Sequence, residues 1–385
     1  MDPETQKILE RNPNKNICFD LHETNDKTSS TFNKLKIYLF IGIPLILLIC
    51  LLFFYIFQKN LSSNFNASNI NGKVTLNGFE EFHVNEFDEN ELMKYRQQQN
   101  EFCDNQEKHL IMEYEDKLVL ANVSYLSQLF TMYVYKSDDI VSAQILQSEN
   151  WEGDETNNLL TALTFYSSIK RLNREDIYVL DIGSNLGWYS LFIAKYGYNI
   201  LSFEPSDVNH YILKKNYCLN RELNITFIKK GLYSEDRNCD FYVSSGNIGD
   251  GWVFCDTPHN LTHLNKTGEA SLTKLSNYES FLISHNLALV KIDAEGSEGK
   301  AIEGGIKLIT KYRVPFIFLE FSPESLIQHG TNPRDFLKLF VRNGYKIAWY
   351  NFFSDDYLTI DDIMERTNGS MNLYIVHSRT IKKYY

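Results

Sequence analysis

The chain has 385 residues, which is enough for two or three domains and a sizeable hydrophobic core. Hydrophobic residues make up 43% of it and charged residues 23%, a composition typical of globular proteins and unlike that of disordered or fibrous chains. The net charge is −11 and no run of Lys or Arg is present, which argues against nucleic acid as a main partner.

An uncharged apolar segment, residues 37–57, predicts a membrane anchor. Its 21 residues would extend about 30 Å as a helix, the thickness of a bilayer core. Lys27, Lys34 and Lys36 precede it, whereas only Lys59 follows closely, so the N-terminus is expected in the cytoplasm. The segment is long, starts late and lacks a small-residue cleavage site, which favours an uncleaved signal anchor over a cleaved signal peptide.

The sequence divides into six predicted segments. They are a cytoplasmic tail (1–36), the anchor (37–57), an Asn- and Ser-rich stalk (58–78), an N-terminal lumenal extension (79–147), a main domain (148–378) and a C-terminal tail (379–385). In the extension, residues 117–148 favour short strands, whereas residues 80–108 fit either a solvated helix or more stalk. All seven N-x-Ser/Thr sequons follow the anchor, in agreement with a lumenal bulk and a glycoprotein.

Two of the six cysteines fall in the tail and the anchor, which leaves Cys103, Cys218, Cys239 and Cys255 for the lumenal part. Four cysteines allow two disulfides in three connectivities, and no C-x-x-C pair indicates zinc or thiol redox chemistry. An oxidising lumen favours at least one bridge, and four unpaired buried thiols are the alternative.

From about residue 148 the sequence alternates between helical and strand patterns, which predicts an α/β sheet. Strands are expected at 176–181, 200–203, 225–229, 288–292, 316–320, 347–350 and 373–377. Helices are expected at 157–172, 189–196, 208–216, 300–312 and 334–343.

A glycine-containing loop, residues 181–187, follows the first of these strands. Gly183 and Gly187 allow a sharp turn and a close approach of ligand to backbone, near the N-terminus of the next helix. Glu204 ends the next strand, where a carboxylate can accept two hydrogen bonds from vicinal ribose hydroxyls. The spacing differs from the G-x-G-x-x-G of dinucleotide binding and indicates another nucleotide-like ligand.

The sequence resembles the FkbM-type family of S-adenosylmethionine-dependent methyltransferases in four motifs, which occur in the family's order: VLDIGSNLGWYS, LSFEPS, KIDAEGSEGKAIEGG and FIFLEFSP. The resemblance covers about residues 148–377. It implies a doubly wound, mostly parallel α/β sheet of the class I methyltransferase, Rossmann-like type, which makes 148–378 a methyltransferase domain. It also implies S-adenosylmethionine as cofactor and methyl transfer to a hydroxyl oxygen.

The resemblance also implies roles for individual residues. Asp181, Gly183, Asn185 and Gly187 would surround the methionine part of the cofactor, and Glu204 would bind its ribose. Trp151 and Glu152 match the family's layout before the first helix and are candidate substrate residues. The segment 229–232 has no acid at its strand end, which leaves the adenine side without an assigned residue.

Asp293, Glu295 and Glu298 follow a buried strand at the sheet edge where ligands bind. Methyl transfer to an alcohol benefits from a base, and a carboxylate among like charges has a raised pKa. We predict Asp293 as the catalytic base, ahead of Glu295 and Glu298, and Glu320 as an acceptor-pocket residue.

Three alternatives to a catalytic base remain open at this stage. The acids could cap and complement the helix that follows them, or the enzyme could act mainly by aligning its substrates. A hard divalent cation such as magnesium could also lie between Asp293, Glu295 and Glu320, although no spacing requires a metal.

Anchor, stalk and lumenal domain together are typical of resident glycan-modifying enzymes. We therefore expect a single-pass type II Golgi membrane protein whose O-methyltransferase domain acts on a hydroxyl of a glycan or glycoconjugate, with lipid and small-molecule hydroxyls as other acceptors. Two alternatives predict different behaviour: another nucleotide-cofactor enzyme on this type of sheet, and a non-catalytic anchored binding domain.

Overall fold

The computed structural model describes residues 87–105, 115–256 and 262–381. The predicted cytoplasmic tail, anchor and stalk lie outside these residues, as does the start of the predicted extension. No helix within the described residues is long and apolar enough to span a bilayer.

Thirteen strands lie within the described residues: β1 (Leu118–Tyr125), β2 (Gln128–Tyr135), β3 (Tyr178–Ile182), β4 (Asn199–Phe203), β5 (Ile225–Ile228), β6 (Gly231–Tyr233), β7 (Arg237–Ser244), β8 (Asn247–Phe254), β9 (Leu264–Lys274), β10 (Leu287–Ile292), β11 (Phe316–Phe321), β12 (Tyr345–Ala348) and β13 (Met371–His377). The α-helices of the same residues are α1 (Glu89–Asp104), α2 (Ile140–Ser148), α3 (Gly153–Lys170), α4 (Trp188–Lys195), α5 (Asp207–Cys218), α6 (Glu279–Ser284), α7 (Glu298–Gly304), α8 (Pro323–Gln328), α9 (Pro333–Arg342), α10 (Ile360–Arg366) and α11 (Ser378–Ile381).

The main sheet has seven strands in the order β12-β13-β11-β10-β3-β4-β5. All neighbouring pairs are parallel except those of β13, which runs antiparallel to β11 and β12. The seven strands predicted from the sequence are these seven, each bounded within two residues of its expected ends. The sheet is therefore mostly parallel, as predicted.

Alternate residues along the strands pack into two separate cores, one on each face of the sheet. Val179 of β3 and Leu289 of β10 join one core, whereas their neighbours Leu180 and Val290 join the other. Strands with both faces buried read as continuous apolar segments, which explains why their positions could be predicted. The sheet is therefore doubly wound, with helices covering both faces.

The helix predicted over 300–312 is shorter than expected. It divides into α7 and a π-helical turn at Leu308–Tyr312, and its apolar positions continue across the break. Gly304 ends α7 against the neighbouring sheet, because a Cβ there would lie 1.9 Å from the carbonyl oxygen of Tyr233.

A second sheet, which the sequence analysis did not predict, has four strands in the order β6-β9-β7-β8. A disulfide between Cys239 and Cys255 joins β7 to the end of β8. Many side chains in these strands are exposed or half-buried, so their hydrophobic pattern is weak. Polar strands of this kind give little periodic signal.

The N-terminal extension packs on the main sheet. Within the ambiguous segment 80–108, residues 89–104 form helix α1, and Asp88 caps it by accepting from two backbone N–H groups. Gln99 of this helix hydrogen-bonds the carbonyl oxygen of Ile225 and the N–H of Phe227 on edge strand β5. A disulfide between Cys103 and Cys218 fixes the helix there, so the open edge of the sheet is covered.

The residues before the main domain also contain the predicted short strands, which pair as the antiparallel hairpin β1–β2. The strand prediction fails only at its end, because residues 140–148 form helix α2 with Asp139 as N-cap. Both disulfides that the cysteine count allows are present, which answers the question of connectivity left open by the sequence.

Candidate active site

The glycine loop (residues 181–187) and the loop after β10 (residues 293–298, here called the acidic loop) meet at the carboxyl edge of the sheet. Gly183 follows β3 with φ +70°, and a Cβ at this position would lie 1.7 Å from the carbonyl oxygen of Asp293. The N–H of Asp293 donates to the carbonyl oxygen of Ile182 at 3.1 Å. Only glycine fits between the two loops, so contact between them depends on this residue.

Glu204 lies at the end of β4, facing the glycine loop. Its carboxylate accepts the N–H of Asn185 and the N–H of Ser206, each at 2.9 Å. Burial raises the pKa of Glu204 to about 7, although these two hydrogen bonds oppose the shift. The remaining lone pairs of the carboxylate can accept hydroxyl groups of a ribose.

Lys291 is a buried cation beneath both loops. Its ammonium lies 3.6 Å from Asp181 and 3.3 Å from Asp293, and it donates to the carbonyl oxygen of Gly183 at 2.6 Å. Burial lowers the pKa of Lys291, but the two carboxylates outweigh burial and raise it above the usual lysine value. Lys291 therefore stays charged and links the two loops.

A cavity opens between the glycine loop, Glu204 and the acidic loop. Residues 183, 185 and 204 line it on one side and Asp293 and Glu295 on the other. The β7–β8 hairpin closes it from above through Gly249, Gly251 and Val253. The cavity measures about 60 Å³. This is smaller than the roughly 300–1,000 Å³ of most ligand sites.

The five predicted cofactor residues fall into two groups. Gly183, Asn185 and Glu204 line the cavity. Asp181 is buried below it, where it accepts from Ser190 Oγ at 2.7 Å and raises the pKa of Lys291. Gly187 faces α5 instead, since a Cβ there would lie 2.4 Å from Leu213. Asp181 and Gly187 thus shape the loop from behind.

The predicted acids Asp293, Glu295 and Glu320 come together. One carboxylate oxygen from each lies within 4.8 Å of the others. The charge of Asp293, with burial, raises the pKa of Glu320 to about 9. Burial and then the neighbouring acids raise the pKa of Glu295 well above its usual value. We call these three residues the acid cluster.

Glu298 has a different position from the other predicted acids. Its Oε1 accepts the N–H groups of Ala294 and Gly296 at 2.9 and 3.0 Å, and its side chain is buried behind the loop. Glu295, which has φ +50°, is held in the left-handed region by this loop. Glu298 is therefore placed to shape the acidic loop, and it does not line the cavity.

The predicted substrate residues Trp151 and Glu152 do not line the cofactor cavity. Glu152 accepts from Tyr189 Oη and from Asn372 Nδ2, and burial is the main cause of its raised pKa. Trp151 packs against the hydrophobic core. Of these two residues, Glu152 is the one whose carboxylate interacts with Asp293.

Sequence reasoning missed three contributors to the site: Lys291, Asn209 and the β7–β8 hairpin. Lys291 opens the KIDAEG motif, but a strand lysine is usually solvated and only the fold shows it buried. Asn209 holds the hairpin by donating to the carbonyl oxygen of Gly249 at 3.0 Å. Neither the hairpin nor this contact has a local sequence signal.

The comparison with family models supports a methyltransferase domain in this part of the chain. Residues 181–347 match the family model described as methyltransferase FkbM domain. The resemblance predicted from the four motifs is thus confirmed over these residues. No curated protein matches the chain.

Solved structures with similar folds include WbdD, a bifunctional kinase-methyltransferase. A WbdD structure is 11% identical with a TM-score of 0.35, and the match covers 61% of this chain and 42% of that one. The chain thus spans less than half of WbdD. A second match is magnesium protoporphyrin IX methyltransferase (ChlM) from Synechocystis PCC 6803, solved with bound SAM. It is 13% identical with a TM-score of 0.33, and the match covers 74% of this chain and 97% of the ChlM chain. Likeness at these TM-scores carries no conclusion about substrate.

Proposed function

We propose that the protein is an S-adenosylmethionine-dependent O-methyltransferase of a secretory-pathway membrane. One observation carries the proposal: Asp293 and Glu295 of the acid cluster line the same cavity as the ribose-binding candidate Glu204. A methyl donor held by Gly183, Asn185 and Glu204 would lie directly beside Asp293. A base beside the transferred methyl group would assist methyl transfer to an alcohol.

S-adenosylmethionine supplies an electrophilic methyl group when bound. Asp293 would accept the proton of the acceptor hydroxyl as its oxygen–carbon bond forms, while Lys291 keeps the carboxylate in place. Glu320, whose pKa is raised to about 9, holds a proton near neutral pH, and the raised pKa of Glu295 favours its neutral form, so both limit the negative charge around Asp293. Alignment by the two loops contributes independently of the base.

A divalent cation such as magnesium is the second candidate for the acid cluster. The grouping of three carboxylate oxygens within 4.8 Å favours it, because hard cations take oxygen ligands. The two assignments differ in their response to chelation. If the acid cluster holds only protons, EDTA leaves methyl transfer unchanged, whereas if it binds a cation, EDTA abolishes methyl transfer and magnesium restores it.

Two features of the described residues support a lumenal domain. Disulfides form and persist in oxidising compartments, and both available pairs are bonded here. The four sequon asparagines on described residues are all exposed: Asn122, Asn224, Asn265 and Asn368. With residues 37–57 as a type II anchor, the proposed location is the Golgi and the proposed acceptor a hydroxyl of a glycan or glycoconjugate.

The cofactor is tested first, with the full chain purified in detergent. S-adenosylmethionine and S-adenosylhomocysteine should each raise the melting temperature, since a ligand at 100 times its dissociation constant adds about 2.7 kcal/mol. Glu204→Ala should lose the shift while remaining folded. No shift in folded wild-type protein would contradict the proposal.

Catalysis and topology need separate tests. Asp293→Asn should bind S-adenosylhomocysteine normally but transfer tritiated methyl groups at least about 100-fold more slowly. If this variant keeps full function in a complementation assay, the non-catalytic binding domain is the better description.

In sealed microsomes the described domain should resist protease, and glycosidase should lower its apparent mass. Digestion without detergent would contradict the lumenal location.

A further inference from the structure

A second groove lies beside the acid cluster, distinct from the cofactor cavity. It measures about 570 Å³, within the usual range of ligand sites. Its walls come from the start of α3, the segment after β12 and the start of β13. The proposed function does not yet assign it a ligand.

The groove adjoins the acid cluster at Glu320. Asn372, in its wall, pairs with Glu320 in the β11–β13 register and donates to Glu152 at 3.1 Å. Ser370, also in the wall, hydrogen-bonds the Glu320 side chain. Asp293 and Glu295 line the cofactor cavity instead. The acid cluster therefore lies between the two spaces, where a hydroxyl from the groove could meet a methyl donor from the cavity.

The outer part of the groove carries a pair of stacked rings. Trp349 and Tyr350 have centroids 5.6 Å apart and planes 8° apart, and the Arg366 guanidinium lies over the Trp349 ring. Tyr350 is 69% exposed. Asn158 fixes this segment by donating to the carbonyl oxygen of Tyr350 at 2.8 Å. A large aromatic ring that is held in place but exposed to solvent is suited to packing against the apolar face of a sugar ring.

The remaining lining groups are suited to hydroxyls. Asp154 and Glu155 supply carboxylates, and Asn157, Asn158 and Asn351 supply amides. Among the described residues that line the groove there is no Lys or Arg. With the carboxylates of Asp154 and Glu155 in its wall, the groove repels phosphate, sulfate and carboxylate groups.

We propose that this groove binds a neutral glycan as the methyl acceptor, with one sugar ring on Tyr350 and the reacting hydroxyl beside Asp293. The inference rests on the proposed function and adds a place and a charge preference for the acceptor. Phosphorylated, sulfated and sialylated glycans are excluded by the carboxylates of the groove.

The test uses full-length protein in detergent saturated with S-adenosylhomocysteine. Binding is measured to an array of neutral mannose-, galactose-, fucose- and N-acetylglucosamine-terminated oligosaccharides beside their sialylated and sulfated counterparts. Wild type should bind neutral members only. Tyr350→Ala should weaken that binding about tenfold, whereas Tyr350→Phe keeps the ring and should bind like wild type.

Leu129→Ala is the matched control, because Leu129 is 76% exposed on the β1–β2 hairpin, away from both sites. It should bind like wild type, and all variants should bind S-adenosylhomocysteine equally. With a glycan that the enzyme methylates, Tyr350→Ala should raise KM about tenfold and change kcat less than about twofold.

The outcomes separate this inference from the function on which it rests. Normal S-adenosylhomocysteine binding without neutral glycan binding overturns the groove assignment and leaves the methyltransferase in place. Equal binding by wild type and Tyr350→Ala, or preference for sialylated glycans, overturns it as well. If wild type fails to bind S-adenosylhomocysteine, the proposed function itself is wrong and the groove loses its basis.

Discussion

The ammonium of Lys291 lies 3.3 Å from the carboxylate of Asp293, while the same ammonium donates to the carbonyl oxygen of Gly183. One buried cation therefore holds the proposed base and the cofactor loop. The arrangement makes the position of the base depend on the loop that would bind the methyl donor. Lys291 is thus a positioning residue, since it does not line the cavity.

Replacing Lys291 with Met should damage both stability and activity. The variant leaves the carboxylates of Asp181 and Asp293 without their cation, and breaking a buried pair in this way costs about 3–5 kcal/mol. Urea denaturation measures the loss. Lys300→Met is the control, because Lys300 makes only a surface pair with Glu303, worth at most about 1 kcal/mol. Equal stabilities for the two variants would contradict the role of Lys291.

Gly183 and Gly246 have similar backbone conformations. Comparing an alanine substitution at each position therefore separates the effect of the loop contact from the effect of backbone strain. Gly183 and Gly246 have φ of +70° and +85°, so an alanine at either costs about 1–2 kcal/mol. A Cβ at Gly246 meets nothing within 4 Å, whereas one at Gly183 meets the backbone of Asp293. Gly183→Ala should therefore lose S-adenosylhomocysteine binding by calorimetry, and Gly246→Ala should keep it. Similar affinities would show that the loop contact is not needed.

The main sheet was predictable because each strand is buried on both faces and reads as a short apolar segment between turn residues. Gly183, Asn185 and Glu204 could be placed for the same reason, as they lie at the ends of such strands. The contact between Gly183 and Asp293 was not predictable. It joins residues more than a hundred positions apart and depends on β3 and β10 being neighbours.

The second sheet and the proposed acceptor groove show the other limit of sequence reasoning. Strands β7–β9 are half-exposed, so alternation of polar and apolar residues is blurred. The groove combines three distant segments, and Trp349 and Tyr350 read as part of a strand that in fact ends at Ala348. The predicted domain boundaries and the residues before 87 stay predictions.

Cofactor binding should strengthen as pH rises through about 7. The pKa of Glu204 is about 7, and its ionised form is the better acceptor for ribose hydroxyls. If only that form binds, affinity for S-adenosylhomocysteine rises about tenfold between pH 6 and pH 8. Glu204→Gln cannot ionise and should bind weakly at both values. Calorimetry at the two pH values measures the effect, and an unchanged pH dependence in the variant would assign it to another group.

Glu298 should make the fold less stable as pH rises. Burial raises its pKa from the usual 4.5 to about 7, so the folded state binds the proton more tightly than the unfolded state does. Its contribution is therefore complete below pH 4.5 and decreases as pH rises to about 7 and above. Glu298→Gln can still accept the N–H groups of Ala294 and Gly296 through its amide oxygen, but it does not titrate.

The free energy of unfolding of Glu298→Gln should accordingly fall less than that of wild type between pH 5 and pH 8, measured by urea denaturation. Glu303→Gln is the matched control, because Glu303 is on the exposed face of the same helix α7 and should leave the wild-type slope unchanged. If Glu298→Gln retains the full wild-type slope, the carboxyl is already ionised in the folded loop. The loop would then be held by a charged acceptor, and the acid cluster would have one more negative charge beside it at neutral pH.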